Sequence, residues 1–524
     1  MSNLPEYKEM SSLSIDQFLD VPEEPYRIGS SSNASSMSDL SMPTYDVKES
    51  PFSVGITSHL AFAVAAAVLG SAFQHGYNTG VLNNPQSIIQ EWINETTYER
   101  KGEYLTQDQV DLIWSVPVSI FCVGGMIGGL LTALIADRFG RKKGLLLNNV
   151  NVFIAAIFMG FSKLAGSYEM IIVGRLFIGI SAGLNAGLTP MYLSEISPPH
   201  LRGAIGTTYQ LVITISILVS NLLGLPECLG TEDRWPLLLG LTVIPAIFQL
   251  ATLPICPESP KFLLVNEGRD VQSQKALIWL RGTLEIHDEM DEMTAESETM
   301  KLIPKVTLKE LFVNPSLRIP LVVSVVVMLS QQLSGINAVI FFSTEIFKSA
   351  GLTVQVALYA TLGMGVINVL MTVVSLVLVE RAGRRTLQLT GLGGIFIATV
   401  LLTVFLALKD YATWLSYISI ILVFFFVIMF ASGPGSIPWF LVAELTNQSS
   451  RSLATSIAVG VNWGANFLVT LTFLPLKNVM DEYVFLIFAG LLAFFWVYTY
   501  KQVPETKNKN NEEISAFFRE KAYK

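Results

Sequence analysis

Asp137-Arg138-Phe139-Gly140-Arg141-Lys142 is answered later in the chain by Glu380-Arg381-Ala382-Gly383-Arg384-Arg385. Both runs read acid, arginine, any residue, glycine, arginine, base. Two more signatures repeat. Glu195…Arg202 returns as Glu444…Arg451, and Pro257-Glu258-Ser259-Pro260-Lys261 returns as Pro504-Glu505-Thr506-Lys507. The spacings are 243, 249 and 247 positions, nearly constant, and apolar stretches lie between the signatures. One unit is therefore written twice. Two similar units facing each other imply a cavity near the membrane midplane, the plan of secondary transporters.

The apolar stretches place that unit in a bilayer. Of 524 residues, 51% are apolar and 15% charged, against roughly 25% charged in soluble domains. A spanning helix needs about 20 apolar residues. Twelve stretches qualify: about 59–82, 112–136, 145–162, 169–193, 203–224, 235–255, 318–341, 355–379, 386–407, 415–442, 452–474 and 482–500. The expected fold class is an all-α integral membrane protein with twelve transmembrane helices in two six-helix halves. The expected divisions are a Ser-rich, disordered tail at 1–56, a first half at 57–256, a linker with short helices at 257–317, a second half at 318–500, and a tail at 501–524. Residues 1–50 contain no apolar run of the signal-peptide kind. Ser30, Ser31 and Ser32 after Arg27 suit either phosphorylation or a merely solvated tail.

Orientation follows from Lys and Arg near the span ends. Arg138, Arg141, Lys142 and Lys143, then Arg381, Arg384 and Arg385, then Arg202 and Arg451, all fall on one side, predicted cytoplasmic with both termini. The 83–111 loop then lies outside and carries the sequon Asn94-Glu95-Thr96, a predicted glycosylation site. Asn33-Ala34-Ser35 and Asn447-Gln448-Ser449 match the pattern on the cytoplasmic side and are read as unused. Three scattered cysteines and four histidines offer neither a disulfide framework nor metal spacing. There is no P-loop to drive pumping with ATP, no catalytic constellation, and no cofactor or nucleic-acid motif. Gly179-Ile180-Ser181-Ala182-Gly183 matches a nucleophile elbow but sits inside an apolar helix with no strand before it.

The polar residues inside the spans that bear on function are amides, not acids: Gln210, Gln331, Gln332, Asn337, Asn368, Asn462 and Asn466, accompanied by Phe341, Phe430, Trp439 and Trp463. An amide donates and accepts without charge. That combination suits a neutral, hydroxyl-rich ligand, with aromatic faces covering its C–H surface. The same amides also serve as glue between helices, and their number, concentrated in the second half, favours a site. On an ideal helix Gln332 and Asn337 lie about 140° apart. They meet one ligand only if the helix bends, and Gly335 stands between them. Gly433-Pro434-Gly435 and Pro438 break helix ten, which is tolerated at membrane depth where backbone lines a cavity or is buried in protein. Gly124, Gly125, Gly128 and Gly129 in helix two allow close helix packing. The repeated charges, Asp137, Arg141, Glu195 and Arg202 with Glu380, Arg384, Arg385, Glu444 and Arg451, suit a gate of salt bridges between or within the halves. They also serve as topology signals and helix caps.

With these residues in view, roughly 58–508 resembles the facilitative glucose transporters, the sugar-porter branch of the major facilitator superfamily. The motifs are Gly76-Tyr77-Asn78-Thr79-Gly80-Val81, Gln331-Gln332-Leu333-Ser334-Gly335-Ile336-Asn337, Glu380-Arg381-Ala382-Gly383-Arg384-Arg385, Gly433-Pro434-Gly435-Ser436-Ile437-Pro438-Trp439-Phe440 and Pro504-Glu505-Thr506-Lys507. The resemblance implies hexose ligands at Gln210, Gln331, Gln332, Asn337, Asn368, Trp439 and Asn462. It implies a cytoplasmic gate at Glu195, Arg202, Glu380, Arg384, Arg385, Glu444 and Arg451. Trp439 and Gln332-Leu333-Ser334 point to D-glucose, with galactose or mannose as secondary substrates, over fructose. Asn78 stands where proton-coupled members carry Asp, which implies uniport. The chain departs from the glucose pattern at Ala431, where relatives carry Glu, at His75, where an aromatic is expected, and at Lys261, where Arg is usual. His75 keeps symport open, because imidazole titrates near neutral pH. A non-transporting sugar receptor is a further alternative, suited to the long Ser-rich tail. The resemblance and the sequon imply the plasma membrane.

Overall fold

The computed structural model describes residues 55–522 except 199–200, 303–305, 448, 508 and 510. The tail expected at 1–56, with Ser30–Ser32, lies almost wholly outside the described residues. Twelve helices form the body: α1 Ser58–Gly80, α2 Gln107–Phe139, α3 Arg141–Gly160, α4 Glu169–Ile196, α5 Arg202–Leu223, α6 Trp235–Ile255, α7 Pro315–Ser349, α8 Val354–Ala382, α9 Arg384–Ala407, α10 Thr413–Leu445, α11 Arg451–Met480 and α12 Val484–Gln502. The last apolar stretch runs unbroken by composition from Arg451 to Gln502. Asp481, at φ 49°, ends α11 and turns the chain into α12. Several helices outrun the apolar stretches. α2 has 33 residues, about 50 Å of helix against a hydrocarbon core of about 30 Å.

Large apolar side chains cover the outside: Leu130 and Leu134 on α2, Leu370, Val373 and Val377 on α8, Phe494 and Val497 on α12. An apolar surface of this extent needs lipid around it. Inside, α2, α4 and α3 pack closely, as do α9, α10 and α12. The two halves meet along α2–α11 and α5–α8. Small residues set the closest approach. A Cβ on Gly128 would sit 2.2 Å from the Ile180 carbonyl oxygen, and one on Gly183 would sit 2.1 Å from that of Gly125. The helix-two glycines thus act as packing surfaces, Gly125 lying against the Trp463 ring of the other half.

Between the halves run short helices, Pro260–Val265, Asp270–Arg281, His287–Leu302 and Leu308–Val313. After α12 the chain forms one more helix, Asn511–Ala522. Its Ile514 and Phe518 bury against Ile319, Leu441 and Val503, so the segment expected only as a tail docks under α7 and α10.

Gly183→Leu places side-chain atoms inside the backbone of α2. It is expected to cost at least about 1–3 kcal/mol and to lower the thermal midpoint in detergent. Gly460→Ala, with no atom within 4 Å of its Cβ, is expected to be neutral or stabilising by up to about 1 kcal/mol. Equal midpoints for the two variants would contradict the packing described.

Candidate functional site

α7 is two helices. The first ends at Gln332 and the second begins at Ile336. Gly335, at φ +90°, makes the turn. The break brings together what an ideal helix keeps apart: the Asn337 amide nitrogen donates to the Gln332 side-chain oxygen. Gln332 Nε2 donates to Asn462 Oδ1 of α11 at 2.8 Å. Asn462 Nδ2 donates to Gln331 Oε1, also at 2.8 Å, and to the Met328 carbonyl at 3.2 Å. Four of the amides named from sequence thus form one buried, uncharged cluster.

Gln331 has a further task. α10 breaks between Ser432 and Ile437, which releases carbonyls at membrane depth. Gln331 Nε2 donates to the carbonyls of Pro434 at 3.0 Å and Gly435 at 2.8 Å. One side chain therefore ties the break of α7 to the break of α10. An unpartnered backbone carbonyl inside a bilayer is costly, so this bond is structural whatever else the amide does.

The other sequence-derived candidates stand apart from the cluster. Gln210 on α5 is exposed, Asn368 on α8 is half-buried, and Trp439 is 42% exposed on the short second part of α10. The carbonyl of Asn368 accepts from Thr372. Nearer the first half, His75 Nδ1 lies 3.2 Å from the Tyr209 hydroxyl, and its ring stacks 6.1 Å from Trp463. Asn78 Nδ2 donates to Thr242 Oγ1 at 2.7 Å and to the Gln74 carbonyl at 2.8 Å. The buried Arg175 donates to the Asn78 carbonyl at 2.6 Å.

The repeated charge signatures become two matching clamps. In the first half Arg141 Nη2 donates to Glu195 Oε1 at 2.9 Å. The Ser259 hydroxyl also bonds Glu195. In the second half Arg384 Nε donates to Glu444 Oε1 at 3.3 Å, and Thr506 Oγ1 to Glu444 Oε2 at 2.5 Å. Each clamp has a second acid. Glu258 accepts from the backbone N–H groups of Arg141 and Lys142 at 3.0 and 2.8 Å. Glu505 accepts from those of Arg384 and Arg385 at 2.9 and 3.1 Å. The carboxylates cap the N-termini of α3 and α9, where anions are favoured.

Glycine precedes each cap for two reasons. Gly140 and Gly383 sit at φ +88° and +90°, and a Cβ there would fall 2.6 and 2.8 Å from the Glu258 and Glu505 oxygens. Both Arg–Glu pairs stay within one half. Arg451 reaches the Thr446 carbonyl at 3.3 Å, and Arg385 reaches that of Tyr500 at 2.6 Å. Arg202 and Asp137 are exposed, and their side chains make no hydrogen bond among the described residues. The side chain of Glu380 is outside the described set. Glu258, Ser259, Glu505 and Thr506 were missing from the sequence-derived gate, although their signature was the third repeat.

Bonds that cross the halves gather at the end carrying the sequon. Asn83 Nδ2 donates to Ser343 Oγ at 2.7 Å, Thr344 Oγ1 to Asn84 Oδ1 at 3.0 Å, and Asn478 Nδ2 to Asp111 Oδ2 at 2.7 Å. Lys348 reaches Ser87 at 3.0 Å, and Tyr359 reaches Glu227 at 3.1 Å. That end is closed.

This architecture is that of a multi-spanning carrier built from two like halves. The chain belongs to the sugar transporter family, whose model, described as "Sugar (and other) transporter", matches residues 63–518. It is 47% identical to solute carrier family 2, facilitated glucose transporter member 1 of Gallus gallus, over 89% of this chain and 94% of that protein. It is 49% identical to member 3 of Ovis aries, over 88% and 93%. Its fold matches the inward-open conformation of the xylose transporter XylE from E. coli, with a TM-score of 0.72, 26% identity, and coverage of 87% of this chain and 98% of that one.

Gln331→Ala strands the Pro434 and Gly435 carbonyls and is expected to cost about 1–3 kcal/mol, read as a lower thermal midpoint without sugar. Asn337→Ala, which removes one bond inside the cluster, is expected to cost less. A larger loss for Asn337→Ala would remove Gln331 as the fastener.

Proposed function

We propose that the protein moves hexose, D-glucose foremost, down its gradient by facilitated diffusion, the two halves rocking about a central site. The observation that carries this reading is the neutral amide cluster at the α7 break, in a chain so similar to proteins named facilitated glucose transporters. A sugar hydroxyl donates and accepts, and Gln332, Asn337 and Asn462 offer both functions without charge. In this reading sugar exchanges into bonds that the amides make with one another. Gln210, Asn368 and Trp439 complete the site from the facing helices, and Gln331 joins it while holding the two breaks together. Galactose and mannose are secondary substrates.

Uniport rests on Asn78. It lies beside the buried Arg175, held by Thr242 and Gln74, and its amide cannot take up or release a proton. The two clamps keep each half rigid on the basic side. Glu195, Arg202, Glu380, Arg384, Arg385, Glu444, Arg451, Asp137 and Arg141 form the gate there, alternating with the polar bonds at the sequon end. We assign the basic side and both termini to the cytoplasm, the chain to the plasma membrane, and a glycan to Asn94. The Asn94 side-chain oxygen is held by the Leu105 N–H at 2.8 Å, and its nitrogen is the atom a glycan takes.

In proteoliposomes, labelled D-glucose is expected to equilibrate at a rate unchanged by an imposed pH gradient, with weak competition from fructose. His75→Gln is expected to leave the insensitivity to protons intact. Accumulation above equilibrium driven by protons and lost in His75→Gln would make the protein a symporter. Sugar binding without any flux would make it a receptor.

A further inference from the structure

Between α1 and α2, at the end carrying the sequon, the chain forms a further helix, Gln86–Lys101. One face of it is committed to the core. Ile89, Ile93 and Thr97 recur every four residues and are buried, and the two isoleucines join the main hydrophobic cluster. Asn94 lies off that face. Tyr98 follows it by four residues, so the two side chains are neighbours on the helix surface. A long helical side chain leans toward the helix N-terminus, which carries the Tyr98 ring toward Asn94. Gly102, at φ +75°, ends the helix and turns the chain back along it. The return is fixed where the Leu105 N–H donates to Asn94 Oδ1 at 2.8 Å. Tyr104, the residue before, stacks on Tyr98 with ring centroids 4.2 Å apart and planes 9° apart.

The rings are poorly covered. Tyr98 is 44% exposed and Tyr104 65% exposed, and neither belongs to the cluster that Ile89, Ile93 and Leu105 join. Stacking hides one face of each ring and leaves the other open. The Leu105 bond meanwhile fixes the plane of the Asn94 amide beside them. A sugar on Asn94 thus starts from a fixed point next to open aromatic faces. We propose that the Tyr98–Tyr104 pair is a platform for the first sugar of an N-linked glycan on Asn94. That sugar is N-acetylglucosamine, whose pyranose ring presents C–H bonds on its faces, and the negative face of an aromatic ring attracts such hydrogens. The covalent tether makes the contact intramolecular and so raises its effective concentration. In return the sugar covers the rings and clips the returning chain, Gly102 to Leu105, onto the helix. The inference rests on the glycan and the orientation assigned above; it does not depend on what the protein transports.

The test uses the full-length protein from cells that make high-mannose glycans. Mass spectrometry of the Asn94 peptide first shows whether the residue is modified. Endoglycosidase H then trims the glycan to its first sugar, and cells treated with tunicamycin supply protein with none. Hydrogen exchange over residues 94–105 is compared between the two forms. In wild type the trimmed form is expected to exchange roughly threefold more slowly than the sugar-free form. Tyr98→Ala with Tyr104→Ala is expected to abolish that difference, and Tyr104→Ser, a change outside the helix, to remove most of it. Tyr98→Phe with Tyr104→Phe keeps both ring faces and is expected to preserve it. A modified Asn94 with equal exchange in the two wild-type forms would overturn the platform and leave the tyrosines as anchors in the membrane interface. A difference that survives in the alanine variant would overturn it too. An unmodified Asn94 would overturn the glycan assignment and the platform with it.

Discussion

A backbone that leaves helical geometry inside a bilayer has no water to bond, and this protein does so in the middle of both α7 and α10. α7 opens at Leu333–Gly335 and α10 opens at Gly433–Ser436. Gln331 answers both breaks with one amide, its nitrogen on two carbonyls of α10 and its oxygen on the cluster beside α7. The broken backbone and the candidate site are thus a single construction. The break puts Gln332 and Asn337 together, and the cluster that results stabilises the break. A site made this way is uncharged because charge at this depth is expensive, and a neutral polar ligand is what such a site accepts at least cost.

The clamps at the basic ends act on a larger scale. Each fixes three segments of one half to one another: the start of α3 or α9, the end of α4 or α10, and the chain leaving α6 or α12. Glu195 and Glu444 hold arginine side chains, while Glu258 and Glu505 hold helix N-termini. Because these bonds stay inside a half, each half moves as one body and the seam between halves is left to change. At the other end the seam is bridged by Asn83, Asn84, Asp111 and Lys348, in keeping with a fold that matches an inward-open relative.

Much of this was legible in the sequence. The repeat marked the charged groups from which the two clamps are built without pairing them, apolar length gave the spans, and Gly335 marked where a helix had to bend for Gln332 to meet Asn337. Other features were not, for physical reasons. Spacing cannot show that Glu258 and Glu505 cap helices more than 100 residues away, since a carboxylate on a backbone N–H leaves no side-chain signature in its partner. Nor can it reveal that Gln331 bonds carbonyls of α10. The division of Arg451–Gln502 into two helices came from apolar length, yet its turn is set by a non-glycine residue, Asp481, with positive φ. The C-terminal helix escaped notice because only Ile514 and Phe518 anchor it, too few apolar positions to stand out from a charged tail.

The central claim is that sugar binds at the break of α7. Equilibrium binding of labelled D-glucose to purified wild type and to Asn337→Ala tests it most directly, with the thermal midpoint of each recorded. The account predicts that Asn337→Ala keeps a midpoint near that of wild type and loses roughly tenfold or more in affinity, about 1.4 kcal/mol or more. Unchanged affinity in a stably folded Asn337→Ala protein would place the sugar elsewhere and leave the cluster as a brace for two broken helices.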